Sequence, residues 1–122
     1  MRDNLLAGLR VLIVEDDALI ALDLADTLSA AGAEVVGPAH AVSSALDLID
    51  QQVPDVAVLD WQLVGQTAST IAVRLAKLAV PFLFHTSSRE QPAAAHPGVP
   101  IVNKPTRPEQ FVLAVAALTN KS

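Results

Sequence analysis

The chain reads as an α/β protein with a doubly wound parallel sheet of five strands. Two observations predict this. Continuous apolar runs recur at Val11–Val14, Val56–Leu59, Phe82–Phe84 and Val99–Val102, and unbroken rather than alternating runs mark strands buried on both faces. Between the runs, apolar residues recur at helical spacing. Strand and helix alternate five times, which implies crossover connections and helices on both faces of the sheet.

Residues 1–8 are expected to be an N-terminal tail and residues 9–122 a single domain. Val11–Val14 is the first strand. Asp17 is placed to cap the helix that follows, which turns Ile20, Leu24 and Leu28 to the core and Asp23 and Asp26 to water. Gly32 sits where a helix C-terminal cap belongs. Residues 34–37 form a short second strand. A helix over 42–52 faces inward with Val42, Leu46 and Ile49, and Pro54-Asp55 ends it. The third strand, 56–60, runs into a loop containing Gly65. The third helix, about 67–78, buries Ile71, Leu75 and Leu78. Pro81 opens the strand 82–86. Residues 87–98 hold Pro92, Pro97 and Gly98, so at most a short helix forms there, and the segment is expected to be mobile and responsive. The fifth strand is 99–103. Thr106-Arg107-Pro108-Glu109 has the pattern of a capping box with Pro in the first turn. The last helix then runs to about residue 118 with Phe111, Val115 and Leu118 inward.

Composition removes whole classes of function. With 122 residues and 52% hydrophobic content, the chain makes one domain with a real core. There is no cysteine, which excludes disulfides and thiolate chemistry. The formal net charge is −5 and the eight basic residues are scattered, which argues against a nucleic-acid surface. No apolar run approaches the roughly 18 residues of a membrane span. No secretory signal pattern opens the chain, so a cytoplasmic protein is expected. His40 and His96 lie near turn residues and are expected to be solvated, and His85 should face away from Thr86. No zinc site is expected from the three histidines.

The strand ends carry the chemistry. In open parallel sheets, ligands bind at the carboxyl ends of the strands. Here those ends are Glu15-Asp16-Asp17, Asp60, Thr86-Ser87 and Lys104-Pro105. Three converging carboxylates repel one another unless neutralised. An oxygen-only donor set without His or Cys favours a hard cation, best Mg²⁺. Asp60 is the candidate nucleophile, because a carboxylate can accept a phosphoryl group. Lys104 supplies a compact positive charge and Thr86 a hydroxyl.

These motifs, in this order and at this spacing, resemble the receiver domain of bacterial two-component response regulators over about residues 9–119. The matching elements are Val-Glu-Asp at 14–16, Leu-Asp at 59–60, Thr-Ser at 86–87 and Lys-Pro at 104–105. The resemblance implies a flavodoxin-like (βα)5 fold with strand order 2-1-3-4-5 and a short or irregular fourth helix. It implies phosphorylation on Asp60, with Thr86 as the switch hydroxyl, Lys104 as the phosphate-binding lysine and Ser87 beside the phosphoryl group. It implies Mg²⁺ held by Glu15, Asp16, Asp60 and the backbone carbonyl of Gln62, and a cis Lys104–Pro105 bond. The implied partners are a sensor histidine kinase or histidine phosphotransfer protein and a downstream protein, for a monomer or weak homodimer. Phe84-His85-Thr86 and the short interval before Lys104 are similar to a subgroup of stand-alone alphaproteobacterial receivers. Three positions depart from the family pattern. Ile101 stands where Tyr or Phe is common, Thr106 where Phe follows Lys-Pro, and His85 and Ser87 flank Thr86 where the subgroup has Ala and Gly.

Three other readings compete. A receiver scaffold can be a phosphorylation-independent interaction module. A phosphatase using Asp60 would need a second carboxylate two residues on, where Gln62 stands. A flavin carrier would need a phosphate-binding loop after the first strand, where the acidic triplet lies.

Overall fold

A computed structural model describes residues 4–119. The elements run β1 (Arg10–Val14), α1 (Ala18–Ala30), β2 (Glu34–Ala39), α2 (Val42–Gln51), β3 (Val56–Leu59), β4 (Gln62–Leu63), β5 (Gln66–Thr67), α3 (Ser69–Lys77), β6 (Phe82–Thr86), α4 (Glu90–Ala95), β7 (Ile101–Asn103) and α5 (Pro108–Ala117). The main sheet is parallel with order β2-β1-β3-β6-β7. This is the expected 2-1-3-4-5 order, renumbered because a two-stranded antiparallel hairpin, β4-β5, follows β3. The hairpin was not foreseen; two-residue strands leave no periodicity to read.

Alternation along the buried strands divides the core in two. Val11, Ile13, Val56, Val58 and Leu83 pack with Leu24 and Leu28 of α1 and Phe111 and Val115 of α5. Leu12, Val14, Ala57, Leu59, Phe82 and Phe84 pack with Ala45 and Ile49 of α2 and Ile71 and Leu75 of α3. The period of two sends neighbouring residues to opposite faces, so His85 joins the α1/α5 face, as its position beside Thr86 requires.

Several boundaries differ from expectation for local reasons. Strand β2 continues to Ala39 through a Gly37–Pro38 cis bond. Its register gains one residue there, Leu12 facing Val36 but Val14 facing Ala39. Gly37 has φ +95°, and a Cβ on it would come within 2.7 Å of the Ala39 nitrogen, so the irregularity needs glycine. In α3 the buried face is Ile71, Ala72 and Leu75, while Leu78 is the C-cap and lies exposed. Leu46 is only partly buried, and Ala45 takes the inward place beside Val42 and Ile49. The capping box does not form. Arg107 is the N-cap of α5 without a side-chain bond, because Thr106 donates its hydroxyl to the Asn103 carbonyl instead. Asp17 does cap α1, accepting from the N–H groups of Leu19 and Ile20 at 3.0 and 3.2 Å.

Residues 4–8 are not a free tail. Leu6 is fully buried in the α1/α5 core, and its N–H donates to the Ala31 carbonyl at 2.9 Å. The segment therefore closes the bottom of the domain. Leu6→Ala is expected to destabilise the fold by about 2–5 kcal/mol, the range for truncating a buried leucine. Denaturant unfolding measures this, and a loss well under 1 kcal/mol would make the segment peripheral.

Candidate functional site

The sheet's hydrogen-bond ladder runs one residue past the strand ends, and this aims the polar residues. The N–H of Glu15 donates to Ala39 O at 2.9 Å, that of Asp60 to Val14 O at 2.9 Å, and that of Lys104 to Thr86 O at 3.0 Å. Each backbone is thus held by the neighbouring strand before its side chain leaves the sheet. Lys104–Pro105 is cis, as expected.

The side chains then meet. Glu15, Asp16 and Asp60 each bring a carboxylate oxygen within 4.8 Å of the others. Glu15 and Asp60 are buried and Asp16 is partly so. Lys104 Nζ donates to Glu15 Oε1 at 2.9 Å and to Asp60 Oδ2 at 3.2 Å. Glu15 Oε2 accepts from the Asp17 N–H at 3.1 Å. The bond from Lys104 to Glu15 spans 89 residues of sequence, and no local pattern announces it.

Thr86 is buried, and its hydroxyl accepts from the Ser88 N–H at 3.2 Å. Ser87 is exposed and lines a neighbouring cavity between α1 and α5. Gln62 lies in the β4-β5 hairpin, paired with Thr67 and with its side chain exposed.

The electrostatics follow from burial. Desolvation pushes the Glu15 carboxyl up to about 7, opposed by the bonds from Lys104 and the Asp17 N–H and reinforced by the charge of Asp60. Burial alone would lower Lys104, but its hydrogen bond to Glu15 and the charge of Asp60 raise it above the usual lysine value. The ammonium therefore stays charged, and the carboxylate cluster remains short of positive charge.

Two residues outside this cluster were misjudged or missed. His96 is only partly exposed. Its Nε2 is hydrogen-bonded to Ser69 Oγ at 2.9 Å, and its ring lies 5.8 Å from Trp61 and 5.7 Å from Phe84. Trp61, next to Asp60, is buried; its indole N–H donates to Gln91 Oε1 at 3.1 Å, and its ring meets Phe84 edge-on at 5.4 Å. The bond to Gln91 ties it to α4. His40 is exposed, as expected, and donates from Nδ1 to the Glu15 carbonyl at 2.9 Å.

The raised Glu15 carboxyl gives a signed pH effect. A carboxyl whose folded value lies above its unfolded one is stabilising below pH 4.5, and that contribution is lost as pH rises toward 7. In chelator, wild type should lose stability relative to Glu15→Gln over this window, on the order of 1–3 kcal/mol. Denaturant midpoints measured across pH decide it; parallel profiles for the two proteins would refute it.

Comparison with known proteins agrees with the geometry. The family model of the response regulator receiver domain matches residues 11–116. The transcriptional regulatory protein PdtaR of Mycobacterium tuberculosis is 45% identical over 54 residues, 44% of this chain and 26% of PdtaR. The response regulator PhyR from Brucella abortus superposes with a TM-score of 0.79 at 29% identity, covering 93% of this chain and 49% of PhyR. The non-phosphorylated HemR receiver domain from Leptospira biflexa superposes at 0.77 with 27% identity, covering 94% and 99% of the two chains. The chain thus spans about half the length of PhyR, and its match about a quarter of PdtaR. With the family match running from β1 to the end of α5, and a carboxylate cluster closed by a lysine at the strand ends, the chain belongs to the response regulator receiver domains.

Proposed function

We propose that the domain accepts a phosphoryl group on Asp60 from a phosphohistidine of a sensor histidine kinase or histidine phosphotransfer protein. The modification then changes its affinity for a downstream protein. The observation that carries this reading is the contact of one lysine with two buried carboxylates, one of them Asp60. The domain acts as a cytoplasmic signalling module, a monomer or weak homodimer, and catalyses only its own modification and its reversal. Among the described residues no helix is long and apolar enough to cross a membrane.

In the transfer, an Asp60 carboxylate oxygen attacks phosphorus, the P–N bond to the donor imidazole breaks, and the departing nitrogen keeps the electron pair and takes up a proton. Such transfers depend mostly on positioning and on charge stabilisation. Lys104 stands beside the attacking carboxylate and neutralises the oxygens that gather negative charge. Thr86 releases the Ser88 N–H and donates its hydroxyl to the phosphoryl group. Ser87, exposed and directed to the neighbouring cavity, joins the phosphoryl group only if the 86–88 turn re-forms.

The donor set suits Mg²⁺: only oxygen ligands, close enough to share one ion, around a carboxyl that burial leaves under-compensated. Glu15, Asp16, Asp60 and the Gln62 carbonyl would hold it, and it would supply positive charge to the phosphoryl oxygens.

Incubation with a small-molecule phosphodonor and Mg²⁺ should add the mass of one phosphoryl group to wild type. Asp60→Asn should add none, and chelation should suppress the adduct. An Asp60→Asn protein modified as well as wild type would overturn the assignment. A wild type never modified would favour the constitutive interaction module.

The relay must manage without an aromatic at Ile101. Segment 87–98 is tied down at three points: Arg89 to Asn103 at 3.2 Å, Gln91 to Trp61, and His96 to Ser69. It follows Thr86 directly, so movement of that hydroxyl must pass into it. The responsive surface is then 87–98, β7 and α5. Amide hydrogen exchange with Mg²⁺ and beryllofluoride should change protection across 87–98, while an unchanged segment would defeat this route.

A further inference from the structure

Between α1 and α5, on the sheet face away from Thr86, lies a cavity of about 440 Å³. Its walls include Ile20 and Leu24 of α1 and Phe111 of α5, and His85 lines it from β6. Ser87 and Lys104 stand where it approaches the carboxylate site. The volume falls in the range of small-molecule sites, which are apolar with a few placed polar groups.

His85 is the residue without an account. It is 5% exposed and follows the fully buried Leu83 and Phe84 on β6. Its ring lies against Phe111 at 5.2 Å. Among the described residues, its Nδ1 is the sealed side-chain polar atom that has no hydrogen-bond partner. The other buried polar side chains, Glu15, Asp60 and Thr86, all have partners. Burial and the nearby Lys104 charge hold the imidazole neutral, down to about 4. A neutral ring carries one N–H and one lone pair. A sealed N–H without a partner is costlier than a sealed lone pair, so the proton belongs on Nε2. His85 lines the cavity and its Nδ1 is sealed, which leaves Nε2 as the ring nitrogen able to meet the cavity, where it presents a donor.

We propose that this cavity binds a small amphipathic molecule, its apolar body between Ile20, Leu24 and Phe111 and its carbonyl or carboxylate oxygen accepting from His85 Nε2. The shared chemistry is an sp² oxygen on a short aliphatic body. A carboxylate would gain from Lys104 and lose from Asp23 at the rim, whereas a neutral amide would feel neither. The ligand would meet His85, Ile20, Leu24 and Phe111, which take no part in the proposed phosphoryl transfer; the two sites share only the edge formed by Ser87 and Lys104.

Octanoate and octanamide serve as probes, followed by ¹H–¹⁵N NMR of the whole chain. One or both should shift resonances of His85, Ser87 and Phe111 saturably, and move the His85 Nε2 signal in long-range imidazole spectra. Tighter binding by octanoate identifies an acid site, and equal binding a neutral carbonyl site. His85→Leu should fold at least as stably as wild type yet bind about tenfold more weakly, the net worth of one hydrogen bond. Ile20→Trp, which fills the cavity from its partly buried wall, should abolish binding. No saturable shift with either probe at millimolar concentration, or equal binding by His85→Leu, would overturn the proposal. An Nδ1–H tautomer in the free protein would do so as well.

Discussion

One ammonium group governs this site. Glu15 and Asp60 leave adjoining strands with their backbones pinned, so the two carboxylates cannot separate to relieve their repulsion. Lys104 Nζ lies against both. The pair is therefore stable only because a third strand end carries a positive charge on a stem long enough to reach back. Removing one partner from such a buried cluster leaves an uncompensated charge, which costs far more than a surface ion pair is worth. Nearby Asp16 adds a third acid, and one lysine does not balance three. The remaining shortfall of positive charge is what a divalent cation would settle.

The fold was legible where burial is two-sided. Val11–Val14, Val56–Leu59 and Phe82–Thr86 are central strands, and their unbroken apolar runs have no other use. The helices were legible by face, with Leu24, Leu28, Ile49, Ile71, Phe111 and Val115 all inward. Errors gathered where local chemistry had alternatives. Thr106 could cap α5 or bond Asn103, and it bonds Asn103. Leu6 sits in a segment too short to show a period, yet it is buried. The β4-β5 hairpin has two residues per strand and no alternation to detect.

The site was legible as a set of strand ends and illegible as a set of contacts. Asp60, Glu15, Asp16 and Lys104 were identified from position alone, and the geometry brings them together. What spacing could not reveal is which partners they choose. Thr86 bonds within its own turn, Ser87 faces the α1/α5 cavity, and His96 and Gln91 reach across to Ser69 and Trp61. These choices depend on side-chain rotamers set by packing against other elements. The six-residue α4 buries only Pro92, and its Gln91 side chain is bonded to Trp61, which meets Phe84 and His96 edge-on.

The bond between Lys104 and Glu15 also orders events during synthesis. The acids are made first: Glu15, Asp16 and Asp60 emerge well before the lysine that compensates them, 89 residues separating the two ends of that bond. Until β7 pairs with β6, the carboxylates have no counter-charge and the pocket has no wall on that side. The lysine that compensates the cluster thus arrives late, beside the strand that completes the sheet.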